Sequence, residues 1–337
     1  MIEIQNLEVQ FPGDSGPITV IDDLSLSISK GEILGLVGES GCGKSLLAKS
    51  IMRLVPAPGK ITAGRIFFNG DDLLSMDESE IQRIRGNQIS IILQEPMTSL
   101  NPVFTVGNQI TEVLAIHRPE MKKNERRQRA LDVMKRVGIE SPDLRFDQYP
   151  HELSGGIRQR VLISIALICG DVQLLVADEP TTALDVTIQA QILDLFVQLQ
   201  AEHQMALLLI THDLSVIAQT AHRVAVMYAG RLVEIADVAP LFENPLHPYT
   251  RGLMRSLPQI ETRPRKSHLP TIPGTVPNLA DLPAGCPFFD RCEYGREEAC
   301  TSTVPRLEEV SDGHWVRCHL WREIPRFASA TPTARSL

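Results

Sequence analysis

Short apolar runs, separated by glycine, proline and acidic residues, divide the chain into alternating strand-like and helix-like stretches. Ile2, Ile4 and Val9 mark a first strand. Leu24, Leu26 and Ile28 alternate along a second, Ile18 to Ile28, and a Gly/Pro/Asp turn, Pro12 to Pro17, lies between them. Ile33-Leu34-Gly35-Leu36-Val37 is unbroken apolar and predicts a buried strand, followed by a helix-compatible run, Lys44 to Leu54. Gly64 to Asn69 and Ile89 to Leu93 predict two more strands. From Val106 to Gly138 the spacing turns helical, with Leu131, Val133, Met134 and Val137 on one face. Beyond Leu153 the order is helix to about Cys169, strand Leu174 to Ala177, helix Thr187 to His203, strand Ala206 to Thr211, helix Leu214 to Thr220 and strand Val224 to Met227. This alternation predicts an α/β fold with a mostly parallel, doubly wound sheet, an antiparallel β region and a helical subdomain at about 95–165.

Near Asn244 the pattern dissolves. Pro245, Pro248, Pro258, Pro264, Pro270, Pro273, Pro277 and Pro283 predict an extended linker over 246–285. A small cysteine-bearing module is expected over 286–325 and a flexible tail over 326–337, after a main domain of 1–245. No internal repeat is evident.

Composition narrows the function classes. The 337 residues are 43% hydrophobic and 22% charged, ordinary for a globular protein, and the net charge of −8 argues against a nucleic-acid partner. The basic stretch Met121 to Arg129 is interrupted by Glu125 and reads as a solvated helix face. No apolar run reaches the roughly 20 residues that span a bilayer. The acidic, alternating N-terminus reads as a strand, not a signal peptide. A cytoplasmic chain, attached to a membrane only through partners, is expected, and there six cysteines do not suggest a disulfide framework.

Gly38-Glu39-Ser40-Gly41-Cys42-Gly43-Lys44-Ser45 fits the phosphate-binding loop, G-x-x-x-x-G-K-[ST], in a strand–loop–helix context. Glycines let backbone N–H groups converge on an anion, and the helix start adds its positive dipole end. Lys44 would reach the β- and γ-phosphates and Ser45 would ligate Mg²⁺. A glycine-rich turn with a chance lysine is the bland alternative, and a kinase or GTPase fits the loop equally well. Leu174 to Ala177 followed by Asp178-Glu179 supplies a strand ending in two acids. Asp178 suits the Mg²⁺ site and Glu179 the attacking water, unless both are merely solvated strand-end acids.

Leu153-Ser154-Gly155-Gly156-Ile157-Arg158-Gln159-Arg160 resembles the signature motif of the ABC-transporter ATPases. A serine and two glycines open a helix toward an anion, which in that family is the γ-phosphate held by the other ATPase subunit. The resemblance implies further roles. Gln94 matches the Q-loop glutamine, which senses Mg²⁺ and faces the transmembrane subunits. Ala183-Leu184-Asp185 matches the D-loop, His212 the switch histidine, and Phe11, more loosely, the aromatic that stacks on adenine. ATP would join two such chains head to tail, and hydrolysis would release them.

Gln94 to Pro102, Asp178 to Gln191, Asn244 to Thr250 and Ile272 to Pro277 more specifically resemble the dipeptide, oligopeptide and nickel importer ATPases. That implies an ATPase energising import of small peptides, with nickel or glutathione as alternative cargo. The implied partners are a second ATPase subunit (a paralogue or a copy of itself), two transmembrane permease subunits and an extracytoplasmic binding protein. Its implied place is peripheral, on the cytoplasmic face of the inner or plasma membrane.

Cys286, Cys292, Cys300 and Cys318 are spaced C-x5-C-x7-C-x17-C, unlike the paired C-x2-C of zinc ribbons. Four thiols in a proline-rich segment suggest a metal staple, and both zinc and iron–sulfur clusters accept such a set. Resemblance to the dipeptide importers favours [4Fe–4S]; four reduced thiols are the bland reading. Two other functions stay open at this point: a soluble ABC ATPase acting on nucleic acid, and a redox or metal sensor.

Overall fold

In the computed structural model the described residues are 1–14, 16–94, 99–182, 184–257 and 270–327. Expectations that fall on Glu95 to Thr98, Ala183, the prolines Pro258 and Pro264, and the tail from residue 328 lie outside them.

Among the described residues twelve strands form two sheets. Strands β1 (Ile2–Gly13), β2 (Gly16–Ile28), β4 (Lys60–Phe68) and β5 (Asp71–Asp72) make an antiparallel sheet in the order β2-β1-β4-β5. The larger sheet has eight strands in the order β11-β12-β10-β9-β3-β8-β7-β6. These are β3 (Ile33–Val37), β6 (Ile89–Ile92), β7 (Leu174–Asp178), β8 (Ala206–Ile210), β9 (Arg223–Tyr228), β10 (Arg231–Asp237), β11 (Glu308–Ser311) and β12 (His314–Val316). Strands β9, β3, β8, β7 and β6 run parallel.

The central strands are continuous apolar runs because both faces of a parallel sheet are covered. Every residue of β3, β7 and β8 is buried. Successive side chains then serve opposite cores. Val37, Leu175, Ala177, Leu207 and Leu209 join one apolar cluster, and Leu34, Leu36, Leu174, Val176 and Leu208 join the other. The antiparallel sheet closes the second cluster and helices cover the first.

Among the described residues the α-helices are α1 (Lys44–Ile51), α2 (Glu78–Ile84), α3 (Val106–His117), α4 (Lys123–Arg136), α5 (Pro142–Phe146), α6 (Gly155–Leu167), α7 (Val186–His203), α8 (Leu214–Thr220), α9 (Val238–Glu243), α10 (Pro248–Arg255) and α11 (Glu297–Cys300). The single helical stretch expected over Val106 to Gly138 is two helices. Pro119 forbids a helical Arg118, which caps α3 with φ −135° and ψ 61°. Ala130 and Met134 of α4 bury against the first cluster.

Strand β10 breaks the alternation that predicted its neighbours, because Glu234 sits fully buried in its middle. That carboxylate accepts from the N–H groups of Leu246 (2.6 Å) and His247 (3.0 Å) and pairs with His314 Nε2 (2.8 Å). The β9–β10 hairpin turns on Ala229 (φ 45°) and Gly230 (φ 82°), the positive pair that a two-residue turn of this hand requires.

A self-contained cysteine-bearing module does not hold in that form. Strand β12 pairs with β10, Val316 opposite Glu234 and Trp315 opposite Ile235, so the C-terminal segment extends the main sheet. Phe288 belongs to the main apolar cluster, and Cys286 and Cys292 pack against it. The segment is too poor in apolar residues for a core of its own and borrows the main domain's.

Candidate active site

The C-terminal ends of the parallel strands carry the predicted chemistry, which is where open α/β sheets bind ligands. The glycine loop follows β3, Gln94 lies two residues beyond β6, Asp178 closes β7, and His212 lies two residues beyond β8.

The loop packs tightly at its start. A Cβ on Gly38 would lie 2.2 Å from the Met227 carbonyl oxygen, so only glycine lets β3 turn beside β9. Ser40 and Gly41 are exposed at the crest, and Gly43 (φ 106°) caps α1. Lys44 is buried and folds back over its own loop, with Nζ donating to the carbonyls of Gly38 (2.7 Å) and Glu39 (3.0 Å). Cys42 is fully buried, and burial pushes its thiol up despite the Lys44 charge. It is therefore a packed side chain, screened from alkylating reagents.

Asp178 is 2% exposed. Burial pushes its carboxyl above the usual range, opposed by a hydrogen bond from Ser45, while the neighbouring Glu179 charge raises it further. Its Oδ1 has no hydrogen-bond partner. A buried, orphaned carboxylate oxygen beside a hydroxyl fits a divalent cation, which would satisfy both.

Glu179 gathers the remaining residues. Its backbone is left-handed (φ 46°), and its N–H donates to the Ile210 carbonyl at 2.9 Å. Gln94 Nε2 and the Thr182 hydroxyl both donate to Glu179 Oε2 at 2.9 Å, and His212 Nδ1 lies 3.4 Å from Oε1. Residues from three strand ends thus converge on one carboxylate. Thr182 was not singled out from sequence; its place three residues after Glu179, on the same turn, was the available signal.

The stretch expected to be the signature lies elsewhere on the chain. Ser154 opens α6 with an exposed side chain that caps nothing in its own helix, and its carbonyl accepts from Arg158 N–H at 3.0 Å. Gly155 and Gly156 back onto Leu184 and Ile188, 3.4 and 2.8 Å from where a Cβ would sit. Asp185 caps α7 by accepting from Ile188 N–H at 2.9 Å, so the start of α6 packs on the start of α7. Phe11 lies in the antiparallel sheet with its ring against Gly59, where a Cβ would approach within 2.4 Å.

The four C-terminal cysteines line one cavity, with His247, Phe288 and His319. All are free thiols. Burial pushes Cys286 up to about 11, Cys318 up to about 12, and Cys292 in the same direction. Among the described residues no group of three or more His, Cys, Asp or Glu side chains is placed to hold a metal ion.

Comparison with known proteins decides the family. The family model for ABC transporters matches residues 21–182, and that for the oligopeptide/dipeptide transporter C-terminal region matches residues 233–300. The dipeptide transport ATP-binding protein of Escherichia coli is 46% identical over 319 residues, covering 95% of this chain and 96% of that one. The chain belongs to the ABC transporter ATPases. The oligopeptide transport ATP-binding protein of Bacillus subtilis is 49% identical over 324 residues, 96% of this chain and 97% of its own. A dimeric ATP-binding cassette, solved in a post-hydrolysis state with ADP and Pi, superposes with a TM-score of 0.64 at 28% identity, covering 71% of this ABC ATPase and 99% of itself.

Proposed function

We propose that the chain is the ATP-hydrolysing subunit that energises import of small peptides through an ABC transporter. The observation that carries the enzymatic half is Glu179, held by Gln94, Thr182 and His212 beside the orphaned Asp178 oxygen. The peptide half rests on the relatives, two of which are named for dipeptide and oligopeptide transport, and on the matching C-terminal region.

In this reading Lys44 leaves the Gly38 and Glu39 carbonyls for the β- and γ-phosphates of ATP. Ser45 and Asp178, with Gln94, would hold Mg²⁺, which would supply charge neutralisation at the phosphates. Glu179 accepts a proton from the attacking water as its oxygen bonds to the γ-phosphorus and the bond to ADP breaks. His212 steadies Glu179 and faces the γ-phosphate. Phe11 would lie against adenine. Ser154, Gly155 and Gly156 with Asp185 complete the site of a second ATPase subunit, as the dimeric state of the similar cassette supports.

No helix of the described residues is long and apolar enough to cross a membrane. The chain works with two permease subunits and an extracytoplasmic binding protein, peripherally on the cytoplasmic face. The helical layer offers the docking face: Val103, Phe104, Ile116 and Leu144 are exposed, and Phe104, Glu112, Arg127 and Phe146 line a groove there.

The four cysteines are the set that would hold a [4Fe–4S] cluster, in preference to zinc. Four free thiols line one cavity, and the resemblance to the dipeptide importers favours the cluster over zinc; among the described residues no group of three or more is drawn together as a metal ion needs. The cluster's positive irons would offset the burial that pushes the Cys286, Cys292 and Cys318 thiols up. Anaerobic purification followed by iron and acid-labile sulfide analysis tests this; zinc alone, or no metal, overturns it. The transport reading is tested by growth on defined dipeptides as sole nitrogen source. Inactivating this chain should abolish growth, and normal growth would refute the assignment.

A further inference from the structure

We propose that Arg291 is a positioning residue for the nucleotide site, clamping the phosphate-binding loop from the cysteine-bearing segment through Glu39. The inference rests on the ATP-site reading above and adds a residue 252 positions away from the loop.

Glu39, the second residue of the loop, is held at three points. Its carboxylate receives a two-pronged bond from Arg291, Nη1 to Oε2 at 2.6 Å and Nη2 to Oε1 at 3.0 Å. Its N–H donates to the Tyr249 hydroxyl at 2.8 Å, and its carbonyl accepts from Lys44 Nζ at 3.0 Å. The third bond is the one that Lys44 must give up to reach a phosphate. The first two do not involve Lys44, so they hold the loop open when the lysine leaves.

The anchor is rigid. Arg291 is 5% exposed at its side chain and also donates from Nε to the Pro273 carbonyl at 2.9 Å and from Nη1 to the Tyr228 hydroxyl at 3.3 Å. Its guanidinium is held firmly charged, chiefly by the Glu39 bond. Tyr228 and Tyr249 pack at 4.7 Å between ring centres, and Phe288 sits edge-on to both, at 5.2 and 5.5 Å. Phe288 and Arg291 both lie between Cys286 and Cys292, so the segment that lines the thiol cavity is the one that grips the loop. A planar guanidinium is required for such a fork, and an ammonium supplies only a point charge.

The test is nucleotide titration and steady-state hydrolysis on the full chain, comparing the natural protein with Arg291→Ala, Arg291→Lys, Glu39→Gln and the Arg291→Ala/Glu39→Gln double variant. Arg291→Ala should raise the Kd for ATP about tenfold, a typical coupling between linked sites, with kcat at saturating ATP within about twofold. Arg291→Lys should restore part of the loss, and the double variant should be no weaker than the worse single one. An unchanged Kd in Arg291→Ala, or additive losses in the double variant, overturns the clamp. Should Arg291→Ala fail to fold, Arg291→Lys decides: it keeps the charge and removes the two-pronged fork to Glu39, and an ATP affinity equal to the natural protein's refutes the proposal. Failure of the natural protein to bind ATP would instead refute the ATP-site reading.

Discussion

Gln94 and Glu179 stand 85 positions apart in sequence and 2.9 Å apart in space, amide nitrogen to carboxylate oxygen. The bond ties the loop after β6 to the end of β7. Any ligand that draws Gln94 toward a cation must loosen it and leave Glu179 to a water. Replacing Glu179 by Gln keeps the shape and removes the base. Hydrolysis should fall by about 10²–10⁴-fold with ATP affinity retained, as steady-state turnover and nucleotide titration would register.

Asp178→Asn should act in opposite directions with and without the cation. Burial raises the Asp178 carboxyl, so its ionised form costs folding energy in the metal-free protein. The neutral amide should stabilise that state, read as a higher melting temperature with chelator. The same change should abolish Mg²⁺-dependent hydrolysis.

The apolar runs of β3, β7 and β8 were legible because parallel strands buried on both faces need no polar residue to declare their register. The order of loop, signature, acids and histidine was equally plain. Strand β10 was missed because Glu234 interrupts its pattern, and the partners that make a buried glutamate tolerable, the N–H groups of Leu246 and His247 and the ring of His314, come from later in the chain. Strands β11 and β12 were missed for a related reason. They are short, and they exist by pairing onto β10 rather than by any periodicity of their own. The Arg291–Glu39 fork joins two motifs that sequence could only treat separately.

His247 should impose an acid limit on stability. Burial pushes its imidazole down to about 4 from an ordinary value of 6.5. The unfolded chain therefore binds the extra proton first, and stability present above about pH 6.5 is lost progressively as pH falls toward 4, by up to about 3 kcal/mol. His247→Asn retains an acceptor for the Tyr249 N–H, now 3.0 Å from His247 Nδ1. Melting temperatures between pH 7 and pH 4.5 should fall less steeply in that variant.

Ser154→Arg should separate binding from assembly. The Ser154 side chain is exposed at the start of α6 and makes no cap there. The variant should bind ATP like the natural chain yet fail to dimerise on ATP in the Glu179→Gln background, as followed by light scattering. Normal dimerisation would remove the signature from the neighbour's site.

Uptake of a labelled dipeptide into membrane vesicles, prepared with this chain, its permease subunits and the binding protein, tests the central claim most directly. ATP should drive accumulation, and Glu179→Gln in this chain should stop it while leaving the complex assembled. Accumulation that continues undiminished in that variant would contradict the account.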